Sequence, residues 1–93
     1  MVTHFLIEGR VQGVGFRWFV QREAARLHLR GWVRNTEEGA VELIAAGPQA
    51  DLDELRAALE QGPRGSRVDR LHAHPLDEAA DAPLGPFTIK GAW

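Results

Sequence analysis

Hydrophobic and polar positions along the chain alternate with a period of two in some segments and recur at helical spacing in others. Phe5 and Ile7 share one face of a predicted strand. From Phe16 onward the hydrophobic residues recur every three or four positions, which predicts a helix. A second helix is predicted from Ala50 to Gln61, where leucines form a hydrophobic stripe. The pattern therefore alternates between strand and helix.

Two strand-like segments, residues 31–35 and 40–45, lie between these helices and are separated by a turn that ends in Gly39. Glycine adopts a positive φ without steric cost, so this pattern predicts a β-hairpin. Further along, the hydrophobic residues of segment 66–74 are out of phase for a simple strand. We therefore expect a bulged or edge strand there.

A loop and a last strand complete the pattern. Residues 75–86 are rich in Ala, Asp, Glu and Pro, which favours a mobile loop before a strand at residues 87–90. His28 lies where the first helix is expected to end, and histidine tolerates the left-handed conformation better than most residues. The predicted order is βαββαβ, with two helices on one face of a four- to five-stranded antiparallel sheet. The predicted core consists of Phe5, Ile7, Val20, Ala24, Leu27, Val41, Leu43, Leu52, Leu55, Leu59, Phe87 and Ile89.

Composition narrows the functional classes. The chain has 93 residues, of which 44% are hydrophobic, and this suits a single domain over residues 1–93 with one two-layer core. Its net charge of −2 argues against a nucleic-acid partner. The sequence has no cysteine, which excludes disulfides and thiol catalysis. No hydrophobic segment approaches the roughly 20 residues that a membrane span needs, so we expect a cytoplasmic protein with no membrane partner.

The segment 9–17, GRVQGVGFR, joins the first predicted strand to the first predicted helix through glycines. Glycines let successive backbone N–H groups turn toward one point, and the following helix adds the positive end of its dipole. Arg17 presents a planar guanidinium to the same anion. The segment differs from a dinucleotide-binding loop because Trp18 replaces the third glycine, and from a Walker A loop because the only lysine is the distant Lys90. It predicts a site for one small phosphoryl group.

Other residues that could take part in binding or catalysis have simpler structural interpretations. On spacing alone, Asn35 fits a turn-forming role as well as a functional one, and Arg17 without its loop would be an exposed helix residue. His72 and His74 share one strand face, but with no further ligand nearby in the sequence we expect a solvent-exposed pair rather than a metal site. Trp32 is the main candidate for an exposed aromatic residue on the sheet, although the lack of basic excess argues against RNA binding. Trp18 is expected to be a partly exposed helix residue.

Segments 9–17 and 31–35, the second reading GWVRN, resemble the signature segments of the acylphosphatase family. The resemblance extends from Phe5 to Ile89. It implies a ferredoxin-like α/β sandwich and a small, monomeric, cytoplasmic hydrolase that cleaves the carboxyl-phosphate anhydride of acyl phosphates. It also implies that the enzyme uses no metal and no organic cofactor.

The resemblance assigns roles to individual residues. It implies that Arg17 is the phosphate-binding arginine and that Asn35 positions the attacking water. It assigns phosphate binding to the loop backbone at Gln12, Gly13, Val14, Gly15 and Phe16. The expected partners are a small acyl phosphate and inorganic phosphate. A non-catalytic anion-binding or regulatory module of the same fold is the alternative.

The chain also departs from the family pattern at its tail. Residues Gly91-Ala92-Trp93 run past the family's usual aromatic ending. A contact between the terminal carboxylate and Arg17, as in relatives, is therefore not expected to follow the usual pattern.

Overall fold

The computed structural model describes residues 1–91, and the expectation about the tail carboxylate lies outside these residues because it concerns Ala92 and Trp93. The described part of the chain forms five strands, two α-helices and one short 3₁₀ helix. In chain order they are β1 (Val2–Arg10), α1 (Phe16–Arg26), β2 (Arg30–Asn35), β3 (Val41–Ala46), α2 (Gln49–Gln61), β4 (Arg67–Leu76), the 3₁₀ helix (Glu78–Asp81) and β5 (Thr88–Ile89). The predicted order of strands and helices, including the hairpin of β2 and β3, is confirmed.

The strands form one sheet in the order β4-β1-β3-β2-β5. β1 pairs antiparallel with β3 and β4, and β2 pairs antiparallel with β3. β5 pairs parallel with β2, so the sheet is mixed, which corrects the prediction of a wholly antiparallel sheet. The reason is topological. β4 runs opposite to β2 on the far side of the sheet, and the reversal of the chain after β4 makes β5 run in the direction of β2.

Both helices pack on one face of the sheet, where α1 contacts β2, β3 and β5 and α2 contacts β4 and α1. The predicted core residues are buried there, except that Ile89 is partly buried against the core. The core also includes Val11 and Phe16, at either end of the loop between β1 and α1. The loop is therefore attached to the core at both of its ends.

The C-terminal end of α1 has the left-handed residue that the sequence predicts, because His28 has a φ of 57°. The N–H of Leu29 donates to the Ala24 carbonyl at 2.9 Å, and the N–H of His28 donates to the Ala25 carbonyl at 3.0 Å. These two hydrogen bonds form a Schellman motif, which satisfies carbonyl groups that the helix end would otherwise leave unpaired. The motif turns the chain directly into β2.

β4 is an edge strand with a bulge, as predicted. Glu8 pairs with Arg70 and Gly9 pairs with Val68, so Asp69 is the extra residue with no partner opposite it. A β-bulge accommodates one extra residue in this way and explains why the hydrophobic positions of the segment are out of phase.

The loop predicted over residues 75–86 is wrong in its first half. Pro75 and Leu76 continue β4, and residues 78–81 form the 3₁₀ helix, whose start is capped by the Asp77 side chain accepting from the N–H of Ala79 at 2.9 Å. Proline has no backbone N–H group. It is tolerated in β4 because an edge strand has a neighbouring strand on one side only, so some of its N–H groups take no part in strand pairing. The polar composition of this segment predicts a loop. Composition does not reveal that part of the segment pairs with a strand distant in the sequence.

Candidate active site

The loop between β1 and α1 contains two glycines in the left-handed region. Gly13 has a φ of 74° and Gly15 a φ of 76°. A Cβ atom at either position would meet no other atom within 4 Å, so backbone conformation rather than crowding requires glycine here. Gly15 is the N-cap of α1, and within residues 1–91 no side chain caps this helix start and no acidic residue lies in its first turn. The first N–H groups of α1 therefore keep the positive field of the helix dipole uncompensated.

A hollow of about 220 Å³ opens at this helix start, and we call it the cradle hollow. It is lined by Val11, Gly13, Gly15, Phe16, Arg17, Trp18 and Asn35. Its volume is below that of pockets which hold drug-sized ligands, so it suits a small group. Arg17 from α1 and Asn35 from β2, both partly buried, are thus brought to one hollow together with the glycine loop.

Asn35 is the last residue of β2, and the hairpin turn after it is held by hydrogen bonds at both ends. The N–H of Thr36 donates to the Ala40 carbonyl at 2.9 Å, and the N–H of Ala40 donates to Thr36 Oγ1 at 3.1 Å. The N–H of Gly39 donates to the Thr36 carbonyl at 3.2 Å. These bonds fix the backbone that follows Asn35, so the strand end does not fray.

The side chain of Gln12 connects the loop to this turn. Its Nε2 donates to the carbonyl oxygens of Thr36 and Ala40, both at 2.8 Å. The family resemblance implies a role for Gln12 only through its backbone and does not reveal this link. The bonded residues are separated by 24 and 28 positions along the chain, so no local pattern could have revealed it.

A larger hollow of about 590 Å³ adjoins the site on the side of the hairpin, and we call it the hairpin hollow. It is lined by Gln12, Arg34, Asn35, Thr36, Glu37, Lys90 and Gly91. Asn35 lines both hollows, whereas Gly13, Gly15 and Arg17 line the cradle hollow and not the hairpin hollow. The cradle hollow is smaller, but it brings together five of the predicted site residues, Gly13, Gly15, Phe16, Arg17 and Asn35. Gln12 lines the hairpin hollow instead, and Val14 is partly buried against the core.

Charges near the site are partly neutralised by Glu42 of β3. The Glu42 carboxylate lies 2.8 Å from His4 Nε2 and accepts from Arg34 Nε at 2.6 Å. Burial alone would raise the pKa of Glu42, but the hydrogen bonds and charges of His4 and Arg34 outweigh it and lower that pKa below its usual value. The Arg34 cation is therefore already paired, whereas no Asp or Glu among residues 1–91 pairs with Arg17.

The other candidate residues lie away from the cradle hollow. His72 Nε2 lies 2.9 Å from Glu8 Oε1 on the exposed face of the sheet, and His74 is exposed on the same strand. The ring of Trp32 is partly buried, with Lys90 Nζ 4.6 Å from its centre. In the described range, no group of three or more His, Asp or Glu side chains is arranged to hold a metal ion. None of the helices in residues 1–91 has the length and hydrophobicity of a membrane span.

Fold and site together define a class of protein. Two helices packed on a five-stranded mixed sheet form a ferredoxin-like α/β sandwich, and a glycine-rich loop leads from its first strand into its first helix.

Comparison with known proteins identifies the family within this class. The family model for acylphosphatase matches residues 3–89. The acylphosphatase of Koribacter versatilis is 49% identical over 89 residues, which cover 96% of this chain and 79% of that protein. The crystal structure of acylphosphatase from Bacillus subtilis superimposes with a TM-score of 0.86 at 36% identity, covering 98% of this chain and all of that one. The chain belongs to the acylphosphatase family, a family of enzymes, as its signature segments indicate.

The same fold also occurs within a longer protein. Full-length HypF, in its phosphate- and nucleotide-bound form, matches with a TM-score of 0.84 at 25% identity. The match covers 97% of this chain but only 12% of the HypF chain.

Proposed function

We propose that this enzyme hydrolyses small acyl phosphates to a carboxylate and inorganic phosphate. In this proposal Arg17 and the loop amides of residues 12–16 hold the phosphate, and Asn35 positions the attacking water. The observation that carries the proposal is the shared lining of the cradle hollow by the loop glycines, Arg17 and Asn35.

The donors at the cradle hollow support the proposed phosphate binding. The Arg17 guanidinium is charged at every working pH and can engage two phosphate oxygens at once. The uncapped start of α1 adds backbone N–H groups and the positive end of the helix dipole. Phosphoryl transfer depends mainly on positioning and on stabilising the charge of the equatorial oxygens, and these donors are suited to both tasks.

The attacking water is assigned to Asn35. Its side-chain amide offers a donor and an acceptor, so it can hold a water in line with the bond between phosphorus and the acyl oxygen. An amide does not take a proton from this water at neutral pH. A carboxylate is nevertheless a good leaving group, so an acyl phosphate reacts without a strong base, whereas a phosphate monoester would call for a metal or a general acid.

The substrate and product of this reaction are the proposed partners, a small acyl phosphate and inorganic phosphate. One copy of the chain supplies both Arg17 and Asn35 to the cradle hollow, which supports a monomer. The cytoplasmic location stays a prediction from the sequence.

The alternative is a non-catalytic anion-binding or regulatory module. The match to a small part of HypF favours it, because the same fold there belongs to a much longer chain. Turnover distinguishes the enzyme from the non-catalytic module. Either would bind phosphate, but only the enzyme would release phosphate from an acyl phosphate.

The test is phosphate release from acetyl phosphate by the wild type, Arg17→Ala and Asn35→Ala, with Arg26→Ala as a control for loss of an exposed arginine on the same helix. We expect Arg17→Ala to lower kcat/KM about 100-fold or more, because it removes the charged phosphate donor. Asn35→Ala should lower kcat by about 100-fold while inhibition by inorganic phosphate is retained. The control should match the wild type.

Two outcomes would contradict the proposal in different ways. A folded wild type that releases no phosphate would favour the non-catalytic module. Full activity in folded Arg17→Ala and Asn35→Ala would uphold the enzymatic function but refute the roles assigned to these two residues. Circular dichroism of each variant shows whether it is folded.

A further inference from the structure

Trp18 is unusually exposed for a tryptophan. It is the third residue of α1, it lines the cradle hollow, and its relative exposure is 70%. The face of α1 that packs on the core carries Phe16, Val20 and Ala24 instead. Among residues 1–91, Met1 is the one other large hydrophobic residue with comparable exposure. Packing therefore does not account for a tryptophan at the edge of the proposed site.

A separate hollow of about 440 Å³ lies beyond Trp18, and we call it the helix hollow. It is lined by Gly15, Trp18, Phe19, Gln21, Arg22 and Pro63. It shares Gly15 and Trp18 with the cradle hollow, so the two spaces meet at the indole. The rings of Trp18, Phe19 and Pro63 make much of its wall hydrophobic.

The geometry of in-line attack indicates which part of the substrate would lie at the helix hollow. Asn35 lines the cradle hollow and the hairpin hollow, but not the helix hollow. In phosphoryl transfer the attacking and leaving oxygens lie roughly in line on opposite sides of phosphorus. If Asn35 holds the water on the hairpin side, as the proposed function has it, the leaving acyl group would face the opposite side, where Trp18 separates the cradle hollow from the helix hollow.

We propose that Trp18, with Phe19 and Pro63, forms the subsite for the acyl group and that Trp18 is the residue through which this enzyme selects among acyl phosphates. The subsite rests on the proposed function, because the position of the acyl group follows from the water held by Asn35. A planar acyl group can stack on the indole without entering the core, and aromatic pairs of this kind stabilise a complex by a modest amount. The selectivity is therefore expected to be about five- to tenfold.

The experiment compares benzoyl phosphate with acetyl phosphate in the wild type, Trp18→Ala and Trp18→Phe. Intrinsic reactivity cancels when the ratio of kcat/KM values for the two substrates is compared between proteins. We expect Trp18→Ala to lower the benzoyl-to-acetyl ratio about five- to tenfold. Trp18→Phe should retain most of it, because a ring remains at the position. Trp32→Ala, which removes an indole from the sheet instead, should leave the ratio unchanged.

A binding measurement separates this proposal from the proposed function. Phenylphosphonate and methylphosphonate carry a carbon–phosphorus bond that hydrolysis does not break, and their affinities can be measured by calorimetry. Tighter binding of phenylphosphonate that depends on Trp18, with no turnover of any acyl phosphate, would uphold the subsite and refute the enzyme. Turnover with the same benzoyl-to-acetyl ratio in wild type and Trp18→Ala would uphold the enzyme and overturn the subsite.

Discussion

His28 shows how one residue tolerates an unfavourable backbone conformation for the sake of a turn. Its φ of 57° is set by the two Schellman hydrogen bonds that end α1 and lead into β2. A left-handed conformation costs a residue with a Cβ atom roughly 1–2 kcal/mol, whereas glycine adopts it freely. The side chain of His28 is exposed and contributes no buried contact that would offset this cost.

Replacing His28 by glycine should therefore stabilise the protein. We expect His28→Gly to raise the free energy of unfolding by about 1 kcal/mol, measured by urea denaturation. His28→Ala is the matched control, since it also removes the imidazole but keeps the Cβ atom. Equal stability of the two variants would show that backbone strain is not the cause.

Glu42 gives a prediction about pH, because its pKa is lowered in the folded protein by His4 and Arg34 in spite of its burial. A carboxyl group with a lowered pKa contributes stability above its ordinary pKa and loses that contribution as the pH falls through the lowered value. Glu42→Gln should therefore cost about 1 kcal/mol of unfolding free energy at pH 7. The two proteins should converge in acid, where Glu42 is protonated.

Thermal melts from pH 7 down to acid measure this difference. Glu38→Gln is the control, because Glu38 is exposed in the hairpin turn and no ion pair involves it among residues 1–91. If the difference in stability between wild type and Glu42→Gln stays constant into strong acid, the stabilisation does not come from the ionised Glu42 carboxylate.

At the scale of elements, the Gln12 side chain determines how the loop after β1 meets the hairpin of β2 and β3. Its two hydrogen bonds, to the carbonyls of Thr36 and Ala40, fasten the turn that follows Asn35. Arg17 has its own attachment through α1, which packs on the core. The proposed phosphate donors and the residue proposed to hold the water thus belong to different elements, and Gln12 joins them.

Gln12→Leu should separate water positioning from phosphate binding. It keeps the backbone N–H and the approximate shape but removes the two donors, so we expect kcat to fall about tenfold with less than about a twofold change in phosphate inhibition. Gln49→Leu is the control, because Gln49 also donates a side-chain hydrogen bond, to Asp53 at 2.8 Å, far along the chain on α2.

A double mutant sharpens this test. If Gln12 acts by positioning Asn35, Gln12→Leu should cause no further loss of kcat in the Asn35→Ala background. Additive losses in the two backgrounds, or an equal loss of phosphate binding, would instead indicate a general structural role for Gln12.

At the scale of the whole molecule, the strand order predicts where the fold opens first. β1 and β3 each have neighbours on both sides, whereas β5 is a short edge strand whose ladder with β2 consists of two residue pairs, Trp32 with Thr88 and Val33 with Ile89. Native-state hydrogen exchange should find β1 and β3 opening only with global unfolding. β5 should open at a free energy lower by roughly 2 kcal/mol or more. Uniform protection across all five strands would contradict this ranking.

The sequence by itself determined the features that depend on neighbouring residues. The alternation at Phe5 and Ile7 gave the first strand, the helical spacing from Phe16 gave α1, and the position of His28 indicated the end of that helix. Each of these is a property of a few successive residues, so a single chain read locally is enough. The family was also recognisable, because its signature segments are continuous in sequence.

Only the tertiary structure decided how distant segments meet. Four features depend on packing between elements: the parallel pairing of β5, the continuation of β4 through Pro75, the link from Gln12 to the turn, and the position of Trp18 beside the cradle hollow. Local composition carries no information on strand register or on which edge a strand joins. The approach of Asn35 to the loop and Arg17 is therefore visible only once the sheet has brought the two segments together.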